Sequence, residues 1–148
     1  MADKNFSTYS LMDVRVTMSH PKKGKKVLSG CGGGRIVISY TGDVSSHTST
    51  ATGYVVVNRL RSKNGTVTLE LPQNSPADLW VRALIKYLSN DNTNTENFAT
   101  GRLELYDPIP KRTITCSGLT PQRLPDENYD QASTTRNYVF LAAEIGDN

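Results

Sequence analysis

Gly65-Thr66-Val67-Thr68-Leu69-Glu70-Leu71 is the most regular stretch of the chain. Val67, Leu69 and Leu71 fall on one side and Thr66, Thr68 and Glu70 on the other, the period-two pattern of a half-buried strand. Alternating Thr and Val restrict χ1 and suit the pleat. Upstream, Gly53-Tyr54-Val55-Val56-Val57-Asn58-Arg59-Leu60 is β-branched, and Ser62-Lys63-Asn64-Gly65 lies between the two runs. Asn-Gly tolerates the positive φ of a tight turn, so the two runs are expected to pair as a hairpin. Downstream, Ser75 can cap a helix, Pro76 suits its first position, and Asp78 opposes the positive end of the helix dipole. A helix is expected over about residues 76–89. Leu79, Ala83 and Tyr87 form one stripe with Trp80, Leu84 and Leu88 beside it, so Leu79, Trp80, Ala83 and Leu84 are expected in the core.

Further from this centre the chain stays strand-like. Met12, Val14, Val16 and Met18 alternate with polar residues, as do Ile36, Ile38 and Tyr40. Residues 20–34 carry Pro21, four lysines and Gly30-Cys31-Gly32-Gly33-Gly34, which predicts a loop without strong secondary structure. Residues 41–53 are rich in Ser, Thr and Gly and read as a long exposed connection, or else as a polar strand pair projecting from the body. Strands are expected at 102–106, 111–117 and 136–145, with a short edge segment at 119–124 because it holds Pro121. Five to seven strands, one helix and no repeat predict an α+β, mainly β fold: an antiparallel β-sandwich or barrel with one flanking helix. Residues 1–148 read as a single domain, with 1–10 as a flexible arm.

Composition agrees with an ordinary β-rich domain. Of 148 residues 36% are apolar, while 16 Thr, 13 Ser and 11 Asn take part of the usual apolar share. Collagen, coiled coil, disulfide knot and wholly disordered chain are excluded. The net charge of +3 comes from one place. Without Lys22, Lys23, Lys25 and Lys26 the balance is 13 basic against 14 acidic residues, or −1. Met1–Asn5 lead into no apolar segment, the longest apolar run is the six residues Tyr138–Ala143, and Cys31 and Cys116 lie 85 positions apart. A soluble chain made in the cytoplasm with two free thiols is expected.

Catalytic chemistry has no candidate. His20 and His47 have no neighbours at metal-ligand spacing, and Cys116 within a strand reads as a structural thiol. The glycine run lacks the Gly-Lys-Ser/Thr ending of a phosphate loop. Asp126, Glu127 and Asp130 read as a solvated acidic loop. No catalytic residue, cofactor, metal or small-molecule substrate is therefore expected. The lysine loop 22–26 permits another class, a small nucleic-acid-binding β-barrel, but it has no aromatic for stacking and no arginine for bidentate base contact. A solvated loop, or a contact with an acidic patch on another copy, explains it better.

The order of elements carries a resemblance. An early strand, a Gly-rich loop and strand, the Ser/Thr segment, Gly65-Thr66-Val67-Thr68-Leu69, Ser75-Pro76 opening one helix, Gly101-Arg102-Leu103-Glu104-Leu105-Tyr106-Asp107, Leu124-Pro125-Asp126 and a final strand with Phe140 follow in turn. Over about residues 10–145 this resembles the tail-tube proteins of contractile-tailed bacteriophages and phage-tail-like bacteriocins. That family shares its fold with the tube protein of type VI secretion systems.

The resemblance implies hexameric rings stacked into a hollow tube, with strands of six subunits lining the channel and the helix outside. It implies a virion structural protein that passes DNA without sequence-specific binding, or in a bacteriocin dissipates the membrane potential of the target cell. The implied partners are further copies of the chain and the sheath, baseplate and terminator proteins, with assembly in the bacterial host cytoplasm. A tail terminator is the related alternative. On this reading alternation makes Arg35, Ser39, Thr66, Thr68, Glu70, Arg102 and Glu104 lumen-facing. The long loops, with Lys22, Lys23, Lys25, Lys26 and His47, become candidate contacts between subunits or rings.

Overall fold

A computed structural model describes residues 13–28, 35–90, 95–132 and 134–147. The expected arm at 1–10, Cys31 and the glycine run lie outside these residues. The described chain forms β1 (Arg15–His20), β2 (Gly24–Val27), β3 (Arg35–Tyr40), β4 (Ser45–Ser49), β5 (Val55–Arg59), β6 (Gly65–Pro72), α1 (Pro76–Leu88), β7 (Gly101–Asp107), β8 (Arg112–Arg123), β9 (Thr135–Ala142) and β10 (Glu144–Asp147). The fold is mainly β with one α-helix, as expected.

Eight strands form one antiparallel sheet in the order β2-β1-β7-β8-β9-β6-β3, with β10 also on β8. The sheet stays open and does not close into a barrel. β8 belongs to two neighbourhoods. Its residues 112–119 pair with β7, whereas Thr120, Pro121 and Arg123 pair with β9. β10 carries the line of β9 onward along residues 114–117 of β8. At the change-over Gly118 has φ +65°, and a Cβ there would stand 2.6 Å from that of Ala143. The expected edge segment with Pro121 is therefore the far end of a long strand, where β7 has already parted from it.

The hairpin expected around Asn64-Gly65 does not form. β5 pairs with β4, while β6 pairs with β3 and β9. Gly65 serves close approach rather than a turn, since a Cβ would meet the Ser39 carbonyl oxygen at 2.1 Å. The Ser/Thr segment is thus half of a projecting strand pair, the second of the two readings that its composition allowed. The lysine segment also differs from the expected loop. β2 pairs with β1 from Val27 opposite Thr17 to Gly24 opposite His20.

Inward residues of both sheet halves meet one core. Val16 and Met18 of β1, Val67 and Leu69 of β6, Leu103 of β7, Leu119 of β8, and Tyr138 and Phe140 of β9 are all buried. The helix completes it. Ser75 caps α1 by accepting a hydrogen bond from the Asp78 amide, and Ala77, Val81, Leu84, Ile85 and Leu88 face inward. Of the expected helix core, Leu84 is buried and Trp80 packs against the core half-buried. Leu79, 53% exposed, and Ala83 point outward instead. Both stripes have helical spacing, and Val81, Ile85 and Leu88 carry more branched apolar bulk than Leu79 and Ala83.

A buried ionic cluster ties the helix to β9. Arg136, 3% exposed, donates from Nη1 to Oδ2 of the fully buried Asp78. Tyr138 donates to Asp78 Oδ1 at 2.6 Å, and the Asn74 amide donates to Oδ2 at 3.1 Å. Glu127 bridges outward, accepting from Arg136 Nη2 at 3.1 Å and from Arg82 Nη2 at 2.8 Å. It is therefore not part of a merely solvated acidic loop. Burial, with the Asp78 carboxylate alongside, pushes the Tyr138 phenol above its ordinary range.

Three outcomes follow for purified protein. Leu84→Ala is expected to cost about 2–5 kcal/mol of unfolding free energy, whereas Leu79→Ala stays within about 0.5 kcal/mol. Denaturant titration distinguishes them. Arg136→Met leaves Asp78 buried without its cation and is expected to lose about 3–5 kcal/mol. The folded state holds the Tyr138 proton more tightly than the unfolded chain does. That stability is present below about pH 10 and declines as pH rises further; urea midpoints at pH 8 and 11 should separate less in Tyr138→Phe.

Candidate assembly interface

The outward face of β3, β6, β9 and the end of β8 is built by strand parity. Cross-strand register sets Arg35 opposite Glu70 and Glu70 opposite Asn137. Val37, Thr68, Val139 and Arg123 form the next row, and Ser39, Thr66, Leu141 and Thr120 the third. Thr66, Thr68 and Glu70 are half-buried, while Arg35 and Ser39 are exposed. The face is mostly polar, with Val37, Val139 and Leu141 interleaved. A groove on it runs between Thr68, Arg123, Asn137 and Val139 on the sheet and Asp126 and Asn128 on the segment after β8.

Five of the seven residues expected to line a channel thus share one face. Arg102 and Glu104 do not join them. They lie on the outward side of β7, in the other half of the sheet, and pair with each other at 2.9 Å. Each is the alternate of a core residue, but β8 and β9 separate β7 from β6.

The lysines sit on the β1–β2 hairpin against the end of α1. Lys22 and Lys23 occupy the turn, exposed; Lys25 is exposed and Lys26 half-buried on β2. Beneath them His20, 2% exposed, accepts from the Lys22 amide at Nδ1 (3.1 Å). Its Nε2 lies 2.8 Å from the Asn97 carbonyl oxygen, which assigns the proton to Nε2. Lys23 Nζ stands 4.9 Å over the Tyr87 ring, a cation–π contact that pins the tip to the helix. His20 is therefore a satisfied structural histidine.

His47 lies on the projecting β4–β5 arm, opposite Val57. Five large apolar residues around it are 42–82% exposed: Val44, Tyr54, Val55, Val56 and Val57. A two-stranded hairpin exposing that much apolar surface gains little stability by itself.

Among the described residues no group of His, Cys, Asp and Glu has the arrangement of a metal site. Burial pushes the Cys116 thiol up to about 11, so it stays protonated at neutral pH. Arg112 donates from Nε to Asp147 at 2.9 Å, holding that carboxyl below its usual range and fastening β10 to β8. Sequence reasoning missed the Asp78–Arg136 cluster. The signal was available, because Arg136 shares the parity of Tyr138 and Phe140 and so points at the core.

Comparison with known proteins agrees with a structural surface. Over 98% of its length the chain has the fold of a chain from the PVC extracellular contractile injection system, in its sheath/tube terminator in the extended state. The TM-score is 0.57 at 11% identity, covering 99% of that chain. A chain of the extended PVC sheath-tube complex is similar at TM-score 0.56 and 11% identity, over 95% of this chain and 91% of the other. A chain of the anti-feeding prophage tube-terminating cap is similar at TM-score 0.54 and 10% identity, over 99% and 96%. No curated protein matches the sequence. The profile of the bacteriophage PhiTE tail tube protein family, however, matches residues 6–148, and the chain belongs to that family.

Proposed function

We propose that this tail structural protein builds the inner tube of a phage tail or tail-like particle. Six copies close a ring, rings stack, and DNA passes through the channel without sequence-specific binding. In a bacteriocin-type particle the same channel would dissipate the membrane potential of the target cell. No step requires catalysis. Assembly takes place in the host cytoplasm, with sheath, baseplate and terminator proteins as partners. The similar solved chains come from sheath-tube, terminator, cap and baseplate assemblies, which supports those partners.

The observation that carries this reading is the two-faced sheet half. Its inner side is buried under the helix, and its outer side bears Arg35, Ser39, Thr66, Thr68 and Glu70. Arg35 opposite Glu70 keeps that face near neutrality, so it offers phosphates no row of cations to hold them. Arg102 and Glu104, on the other half, suit a contact outside the channel as well as one in it. The β4–β5 arm with His47 and the lysine hairpin are the proposed contacts to neighbouring copies. A ring with heterologous contacts closes by rotation and can stack into a filament.

Negative-stain microscopy of the concentrated protein is expected to show hollow tubes. Single rings that never stack would favour the tail terminator, to which the terminator and cap similarities also point. Monodisperse monomers would defeat both. In a phage carrying Thr66→Lys and Thr68→Lys, tubes are expected to assemble normally while DNA ejection slows, because each ring would then add cations to the channel wall. Unchanged ejection kinetics would remove this face from the lumen.

A further inference from the structure

The segment after β8 is held almost entirely by side chains. Residues 124–132 belong to no strand or helix, and among the described residues their backbone makes no hydrogen bond to other backbone. Both ends are anchored. Arg123 pairs with Val139 at one end. At the other, the Gln73 amide donates to the Thr134 carbonyl oxygen at 2.9 Å, and the Thr134 amide donates to Gln73 Oε1 at 3.3 Å. Between the anchors, Gln73 Nε2 donates to the Asn128 carbonyl oxygen at 3.2 Å, and Glu127 accepts from Arg82 and Arg136. A stretch without its own ladder or apolar burial has low local stability.

Its side chains alternate between two surroundings. Asp126 and Asn128 line the groove beside Thr68 and Asn137, whereas Glu127 and Tyr129 turn to the arginines. Tyr129 donates to Glu127 Oε2 at 3.2 Å and is nonetheless 72% exposed. One carboxylate therefore positions a segment that walls one side of the groove.

The charges are divided so that this carboxylate can leave. Asp78 and Arg136 form a balanced inner pair, with side chains 0% and 2% exposed. Glu127 and Arg82 form the outer pair, at 36% and 32%. When Glu127 withdraws, Arg136 keeps Asp78 as its counter-ion, while Arg82 and Glu127 both gain water. Dissolved salt screens accessible charges over about 10 Å at 0.1 M and about 3 Å at 1 M, and acts on buried pairs much less. Ionic strength thus weakens the outer pair and spares the inner one.

We propose that residues 124–132 are a releasable strap, latched by Glu127 across Arg82 and Arg136, which high ionic strength opens to uncover the groove and Arg136 while the core stays folded. The device belongs to the single chain and is independent of the tube reading.

Chymotrypsin reads the latch, because Tyr129 lies within the strap. The protein is kept dilute and unassembled, fragments are assigned by mass, and a peptide substrate run in parallel corrects for the effect of salt on the protease. Cleavage after Tyr129 is expected to rise about fivefold or more between 50 mM and 1 M NaCl, following the open population. Glu127→Gln is expected to be cut there at 50 mM as fast as the unsubstituted protein at 1 M, without further salt dependence and with its far-UV spectrum unchanged. Arg82→Gln removes the latch from the helix side, leaves Asp78 and Arg136 in place, and is expected to behave alike. Salt-independent cleavage of the unsubstituted protein, or cleavage of both variants at its low-salt rate, would overturn the proposal. So would cuts spread over the whole chain at 1 M NaCl, or loss of the folded spectrum in both variants, since the bridge would then be part of the core and not a latch.

Discussion

Everything in this fold turns on β8 changing neighbours at Gly118. One strand must leave β7 and join β9 within a few residues, and the backbone does so through a positive φ that a side chain would resist. Ala143 stands so close to that point that a Cβ there would collide with it. Because the strand bends, the two halves of a single sheet turn their inner faces towards one another, and a single helix suffices to close the core. The same departure of β7 leaves the end of β8 with no second neighbour among the described residues. A local requirement of two residues in contact thus decides both how the core closes and where the sheet remains unfinished.

The helix is held by chemistry of a different kind. Apolar packing of Val81, Leu84, Ile85 and Leu88 fixes its inner stripe, but Asp78 and Arg136 fix its position along β9. A buried ion pair adds little net stability compared with apolar residues of equal volume. Its geometry is directional, however, and here Tyr138, Asn74 and Glu127 occupy further positions around it. Among the described residues Arg136 Nε has no partner, a cost that the rest of the cluster offsets.

Much of this was legible in the residues themselves. Alternation in Gly65–Leu71 placed Val67, Leu69 and Leu71 inward correctly, because period two survives whatever the strand's partner is. Partner choice was not legible. Asn64-Gly65 is a strong local turn signal, yet β5 lies with Ser45–Ser49, whose polar residues hydrogen-bond across the arm, as Asn58 does to Ser46 and Thr48. Long-range pairing overrode the local preference. The helix limits were readable from Ser75 and Pro76, but two stripes of similar apolar content competed for the core, and only tertiary volume selected Val81 and Ile85 over Leu79 and Ala83. Arg136 escaped notice because a charge at an inward position is normally read as a break in the pattern.

Cys116, buried between β7 and β10, bears on how this part of the sheet responds to redox conditions. Thiol–disulfide exchange and peroxide attack both proceed through the thiolate. A thiol raised to about 11 and shut off from solvent supplies almost none. The sheet at this position is therefore indifferent to redox conditions: the strands around Cys116 need neither a bridge to complete them nor a reductant to preserve them.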